Sequence, residues 1–138
     1  EGKDLLILAI GSMVYPALEA ATELSSGGIE AEVINCRTLK PLDEELLLSA
    51  LKGFDKVITL EENVLPGGFG SAVAEFIFEK GIGKIELKRI GIPDKFIEHG
   101  SRKELLKLLG MDKDGIIKAV REMVKIKDKT PSPQLDIM

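Results

Sequence analysis

The run LLILAI, from Leu5 to Ile10, is the longest unbroken apolar stretch of the chain and decides its fold class. A strand without polar positions is typical of a sheet that helices cover on both faces. A helical pattern follows from about Pro16 to Ser25, with proline in the first turn and Gly27-Gly28 at the end. A buried strand followed by a helix predicts an α/β domain.

Three further strands alternate with helical segments. They are predicted over Ala31–Asn35, Lys56–Leu60 and Lys84–Ile90. The alternation of strands and helices predicts a mainly parallel sheet of four strands with right-handed crossovers. The last strand alternates apolar and charged residues, which indicates an edge strand with one solvent-exposed face. A doubly wound arrangement gives the strand order 2-1-3-4.

The remaining helices carry recognisable ends and apolar stripes. Asp43 is a predicted N-cap for the second helix, which ends at Gly53. In the third helix the stripe consists of Phe69, Val73, Phe76 and Ile77.

The last third of the chain is predicted to be helical. Ser101 and Glu104 form a capping box, and Asp112 caps a final helix. Two prolines and no periodicity follow, so we expect a domain over residues 1–125 and a flexible tail over residues 126–138.

Composition bounds the class of protein. The 138 residues fit one domain, and 44% apolar with 30% charged residues excludes a disordered chain and a membrane protein. The start, Glu1-Gly2-Lys3-Asp4, lacks the basic region of a secretory signal. A single cysteine cannot form an internal disulfide, so we expect a reducing, cytoplasmic setting.

Charge is distributed unevenly along the chain. Residues 1–70 hold 12 acids against 5 bases, whereas residues 71–138 hold 11 acids against 14 bases. The lysines alternate with acids and only 4% of residues are aromatic. This pattern lacks the basic stripe and stacking aromatics of nucleic-acid-binding proteins, so no nucleic-acid partner is expected.

The glycine-rich segment Pro66–Ser71 follows a strand and opens a helix, where backbone amides can hold an anion. Its spacing fits neither a dinucleotide fingerprint, because Val73 stands at the third glycine position, nor a P-loop. We therefore favour a tight turn or an interface over an anion site.

Two adjacent carboxylates, Glu61 and Glu62, follow the third strand. Neighbouring strand residues point to opposite faces, so this pair cannot act on one reacting atom. One of them could bind a partner or cap the following loop through Asn63.

Two reactive residue types each occur only once in the sequence. His99 is the single histidine and Cys36 the single cysteine, and their spacing fits neither a catalytic triad nor a metal site. Arg37 could activate the thiol, but a small buried hydrophobe is the favoured interpretation of Cys36. The doubly wound topology also places a crevice between loops 11–13 and 62–64.

Several strings carry a resemblance to a known family. They read IPDKFIEHGS over residues 92–101, LGMD over 109–112, RTLKPLD over 37–43, and EEN and GGFGS over 61–63 and 67–71. The first two resemble the end of deoxyxylulose-5-phosphate synthases. The others are similar to transketolase-type C-terminal domains. The resemblance covers about residues 4–124.

The resemblance implies a three-layer α/β/α fold with a fifth, antiparallel strand contributed by residues before this chain. It also implies a whole enzyme that condenses pyruvate with glyceraldehyde 3-phosphate, on thiamine diphosphate and Mg²⁺, toward isoprenoid precursors, thiamine and pyridoxal. The family's catalytic, cofactor and metal residues lie upstream, so none is assigned here. This domain would be inactive alone, with no membrane partner.

In the family this domain docks on the upstream cofactor-binding domains and supports a homodimer. The expected docking residues lie in the charged and glycine-rich loops: Glu61, Glu62, Asn63, Gly67, Gly68, Gly70, Ser71 and His99. Two alternatives stay open. One is a subunit of a split transketolase-type enzyme, and the other is a stand-alone α/β domain that binds a small anion or nucleotide.

Overall fold

The computed structural model describes residues 4–37, 43–94 and 100–129, with side chains described as far as Val124. The four strands of this part are β1 (Leu5–Ala9), β2 (Ala31–Asn35), β3 (Lys56–Val64) and β4 (Glu86–Ile92). Its five α-helices are α1 (Val14–Ser26), α2 (Glu44–Leu51), α3 (Phe69–Glu79), α4 (Arg102–Leu108) and α5 (Lys113–Lys129). A short 3-10 turn, Gly11–Met13, joins β1 to α1.

The strands form one parallel sheet in the order β2-β1-β3-β4, which confirms the predicted order. β1 is central: Leu5 pairs with Ala31 of β2, and Leu6 pairs with Val57 of β3. β2 and β4 form the two edges. The antiparallel fifth strand implied by the family is not among the strands of the described residues.

Helices cover both faces of the sheet. Leu5 and Ile7 point into a core formed with α1, α4 and α5, whereas Leu6 and Leu8 point into a second core formed with α2 and α3. Every residue of β1 is fully buried, which explains why its sequence has no polar position. The three-layer α/β/α prediction is confirmed.

The predicted helix caps are present. Asp43 Oδ1 accepts a hydrogen bond from the Leu46 N–H at 3.1 Å. Ser101 and Glu104 form both hydrogen bonds of the capping box, at 3.1 and 3.2 Å. Because these caps satisfy amides that the first helical turn leaves free, they fix where α2 and α4 begin.

Three elements differ in their bounds from the sequence prediction. β3 continues past Leu60 to Val64, because its last residue pairs with Ile92 beyond a register irregularity. β4 spans Glu86–Ile92, two residues later than predicted. α5 continues to Lys129, past the predicted start of the tail at residue 126, because no glycine or proline interrupts it there. Residues 130–138 lie outside the described part.

In the described ranges, no helix combines the length and the apolar character needed to cross a membrane.

Candidate docking surface at the carboxyl edge of the sheet

Glu61 and Glu62 lie at the carboxyl end of β3 and point to opposite faces of the sheet, as predicted. Glu61 is fully buried on the α3 side, whereas Glu62 is partly exposed on the α4 side. Their carboxylates therefore meet different partners, and no paired-carboxylate chemistry is available to them.

The Glu61 carboxylate occupies the N-terminal end of α3. Its two oxygens accept hydrogen bonds from the Phe69 N–H at 2.8 Å and the Gly70 N–H at 2.7 Å. A negative charge at this position satisfies free amides and complements the helix dipole. The place where an external anion would bind is thus filled by a side chain of the protein itself.

The glycines of the turn make room for this carboxylate. A Cβ on Gly68 would collide with Glu61 Oε1 and lie 2.7 Å from the Val64 carbonyl oxygen. A Cβ on Gly70 would lie 2.6 Å from Thr59 Oγ1. The interpretation of Pro66–Ser71 as a tight turn is therefore supported. The same turn has no space left for the small anion of the alternative function, because Glu61 occupies it.

The rest of the turn is held by internal contacts. Gly67 has a φ of 75°, which favours glycine. Ser71 Oγ donates to the Leu65 carbonyl at 2.8 Å, and the Arg89 guanidinium donates to Ser71 Oγ at 3.0 Å. Four of the expected docking residues, Gly67, Gly68, Gly70 and Ser71, thus have roles inside the fold.

Glu62 joins three segments on the other face. It accepts hydrogen bonds from Arg102 Nε at 2.8 Å, from Arg102 Nη2 at 2.7 Å and from Ser12 Oγ at 2.6 Å. The two-pronged Arg102 contact ties the start of α4 to the end of β3. This network bridges the crevice that the topology predicts between loops 11–13 and 62–64.

The pKa of the Glu62 carboxyl is lowered from its ordinary value, chiefly by the hydrogen bonds from Arg102 and then by the bond from Ser12. A carboxyl whose folded pKa is depressed stabilises the fold above its unfolded pKa, and this contribution is lost as the pH falls through the folded pKa.

We therefore expect Glu62→Gln to destabilise the chain at pH 7 and to make a smaller difference at pH 3, because the stabilising contribution of the carboxylate declines once the pH falls below its unfolded pKa and toward its lowered folded pKa. Urea unfolding of both proteins at the two pH values measures this. The exposed position of Arg102 keeps the effect small. A difference that is equal at both pH values would contradict the role of the Glu62 charge.

Two exposed apolar side chains lie within three residues of this network along the chain. Tyr15, in the first turn of α1, is 78% exposed, and Val64, at the end of β3, is 44% exposed. Together with Ser12, Glu62, Asn63 and Arg102 they form what we call the carboxyl-edge surface. The expected docking residue His99 lies outside the described residues, so its placement is untested.

Cys36 follows β2 and is buried. Burial, followed by the charge of Asp43, raises the pKa of its thiol from 9.0 to about 11. The raised pKa does not favour activation by Arg37, and the burial of the side chain supports the interpretation of Cys36 as a small buried hydrophobe.

A thiol with this pKa holds roughly a hundredfold less thiolate at pH 8 than an ordinary one. We expect Cys36 to react with iodoacetamide about a hundredfold more slowly in the folded chain than in guanidinium. Mass spectrometry of the time course checks this, and equal rates would contradict the burial of the thiol.

The described ranges contain no group of three or more histidine, cysteine, aspartate or glutamate side chains placed to hold a metal ion. Because Glu61 fills the start of α3, that turn does not fit a diphosphate either.

Comparison with known proteins identifies the family. Residues 1–116 match the family described as "Transketolase, C-terminal domain". The 1-deoxy-D-xylulose-5-phosphate synthase of Halothermothrix orenii is 50% identical over 124 residues, which are 90% of this chain and 20% of that protein. For "synthase 1" of Geobacter sulfurreducens the identity is 46% over 138 residues, or 100% of this chain and 22% of the relative.

Solved structures agree with the fold. A structure described as "Split gene transketolase, inactive beta4 tetramer" has a TM-score of 0.81 and 38% identity, and it covers 92% of this chain and 41% of its own. A transketolase mutant from Pichia stipitis has a TM-score of 0.60 and 25% identity, over 89% of this chain and 16% of its own. The chain spans about a fifth of the length of the two deoxyxylulose-5-phosphate synthases named above. It belongs to the transketolase C-terminal domain family.

Proposed function

We propose that this chain is the C-terminal domain of a deoxyxylulose-5-phosphate synthase. The observation that carries the proposal is its 46–50% identity to synthases of this name over nearly its whole length. The whole enzyme joins pyruvate to glyceraldehyde 3-phosphate with loss of carbon dioxide, the first step toward isoprenoid precursors, thiamine and pyridoxal.

Within that enzyme, the domain has a role in assembly. Two observations support this role: the Glu61 carboxylate is engaged by α3, and the Glu62 carboxylate is engaged by Ser12 and Arg102. Neither group is free to accept a proton from a substrate without first breaking contacts that hold the fold together. Thiamine diphosphate and Mg²⁺ are held upstream, where the cofactor supplies the carbanion chemistry.

Calorimetry on the chain alone tests this division of roles. We expect no measurable heat on titration with thiamine diphosphate and Mg²⁺. Binding tighter than about 1 mM, roughly 4 kcal/mol, would contradict it. The chain carrying Gly83→Ala, whose new Cβ would meet open space, serves as a matched control for sample quality.

The carboxyl-edge surface is the docking surface we propose for the neighbouring domains or for the second protomer of a homodimer. Its exposed members Tyr15 and Val64 test this better than Gly68, because any side chain on Gly68 disturbs Glu61. We expect Val64→Asp in the whole polypeptide to weaken its association, as measured by sedimentation. The matched control is Leu108→Asp on α4, where leucine is 73% exposed. Equal association of both variants would contradict the surface.

A second candidate is a subunit of a split enzyme, in which the cofactor-binding part lies on another polypeptide. The relative described as a split gene transketolase favours it, because that chain shares this fold at 38% identity. The mass of the native polypeptide that carries this sequence distinguishes the two candidates.

A further inference from the structure

A groove of about 390 Å³ opens at the amino edge of the sheet, opposite the carboxyl-edge surface. The end of α2, the turn before β3 and the turn between α3 and β4 form its walls. Its floor is apolar and consists of Leu48, Leu51, Phe54, Ile82 and Ile85. Four of these five side chains are only partly buried, although they pack against the core on the α2–α3 side. We call it the amino-edge groove.

Lysines form the rim of the amino-edge groove. Lys52, Lys80 and Lys84 line it, and none of the described residues that line it is acidic. Lys80 reaches Glu44 at 3.8 Å, but both side chains are about half exposed, so this pair contributes little. An apolar floor with a positive rim complements a segment that carries apolar side chains flanked by carboxylates.

The groove also has room for an occupant. Gly83 lines it, and a Cβ placed on Gly83 would meet no atom within 4 Å. Its backbone conformation is not one that requires glycine. A side chain at position 83 would therefore add bulk at the groove lining without straining the fold.

The chain enters the domain at this same edge. The Asp4 N–H donates to the Glu30 carbonyl at 2.8 Å, and the Asp4 carboxylate accepts from the Glu30 N–H at 2.8 Å. These bonds hold Asp4 and the start of β1 beside the start of β2, at the amino edge of the sheet. About four-fifths of each curated relative lies outside the region matched by this chain.

We propose that the amino-edge groove is the docking site for an acidic, apolar segment of the upstream part of the same polypeptide. The proposal rests on the function proposed above and names the surface and the chemistry of one contact. Apolar side chains of that segment cover Phe54, Ile82 and Ile85, and its carboxylates pair with the lysine rim.

Hydrogen exchange on the intact longer polypeptide tests the proposal, with the 138-residue chain as reference. We expect amides of residues 81–85 to exchange at least tenfold more slowly in the longer polypeptide. Gly83→Trp should abolish that protection. Gly27→Trp is the matched control, because Gly27 is a helix-end glycine outside the groove whose Cβ would lie 3.6 Å from the nearest atom. It should leave the protection unchanged.

A charge test accompanies the steric one. Lys52→Glu with Lys84→Glu should remove the protection, whereas the paired reversal Lys107→Glu with Lys118→Glu, on exposed positions of α4 and α5, should preserve it. Equal exchange of residues 81–85 in the long and short polypeptides overturns the proposal. Protection that grows with concentration in the short chain also overturns it, since the occupant is then a second copy.

The same samples separate this inference from the proposed function. If the intact polypeptide condenses pyruvate with glyceraldehyde 3-phosphate while the groove stays unprotected, the docking proposal fails and the function stands. If the polypeptide lacks that activity although the groove is protected, the proposed function fails.

Discussion

Glu61→Ala is expected to lower the free energy of unfolding by about 2–6 kcal/mol, because two buried amides lose their acceptor at about 1–3 kcal/mol each. The Phe69 and Gly70 N–H groups bond only to this carboxylate among the described side chains. A domain of this size is stabilised by about 5–15 kcal/mol in total. The substitution therefore removes a large part of the stability of the fold.

Urea unfolding followed by circular dichroism measures this effect. Two controls isolate its cause. Glu61→Gln keeps one acceptor oxygen and should fall between wild type and Glu61→Ala. Glu62→Gln changes the neighbouring carboxylate on the opposite, partly exposed face, and it should cost much less. If Glu61→Ala and Glu62→Gln lowered the free energy of unfolding equally, the hydrogen bonds of Glu61 at the start of α3 would not be a major source of stability.

Gly68→Asp is expected to be at least as damaging as Glu61→Ala. Its Cβ would collide with Glu61 Oε1, and its carboxylate would bring a second negative charge into a buried site that holds one already. Overpacking of a filled site costs about 1–3 kcal/mol, and a buried like charge adds to this. We expect the variant to be largely unfolded at 37 °C.

The thermal midpoint measures this outcome, and Gly53→Asp is the matched control. Gly53 lies two residues after the end of α2 and has no positive φ, and its Cβ would lie 3.7 Å from the nearest atom. We expect that control to melt within a few degrees of wild type. A stable Gly68→Asp protein would mean that Glu61 leaves the helix end easily, against its complete burial.

The layout of the fold is predictable from the sequence because its signals are local. The apolar run of β1, the capping box at Ser101 and the Asp43 N-cap each involve residues within a few positions of one another. The end of β3 is an element boundary that no local signal predicts. Glu61, Glu62 and Asn63 have low strand propensity, and they join the strand because β4 pairs alongside.

The contacts at the carboxyl edge are not predictable in the same way, because they join distant positions. Glu61 meets α3 eight and nine residues later, whereas Glu62 meets Ser12 and Arg102 at separations of 50 and 40 residues. No spacing rule covers such pairs. The one available signal is the alternation of side chains along a strand, which separates the roles of the two glutamates.

These contacts also change how the glycine-rich turn is understood. From sequence, the segment Pro66–Ser71 is compatible with an external anion, an interface or a tight turn. The structure places an internal carboxylate there, so the glycines serve close packing around Glu61.

In the function proposed above, this chain completes a synthase without carrying its catalytic residues. The most direct test is release of carbon dioxide from pyruvate that depends on glyceraldehyde 3-phosphate, with thiamine diphosphate and Mg²⁺ present. We expect turnover by the intact longer polypeptide, none by the 138-residue chain, and loss of turnover when this chain is deleted. Turnover by the 138-residue chain alone, or full activity after its deletion, would contradict the proposed role of the domain.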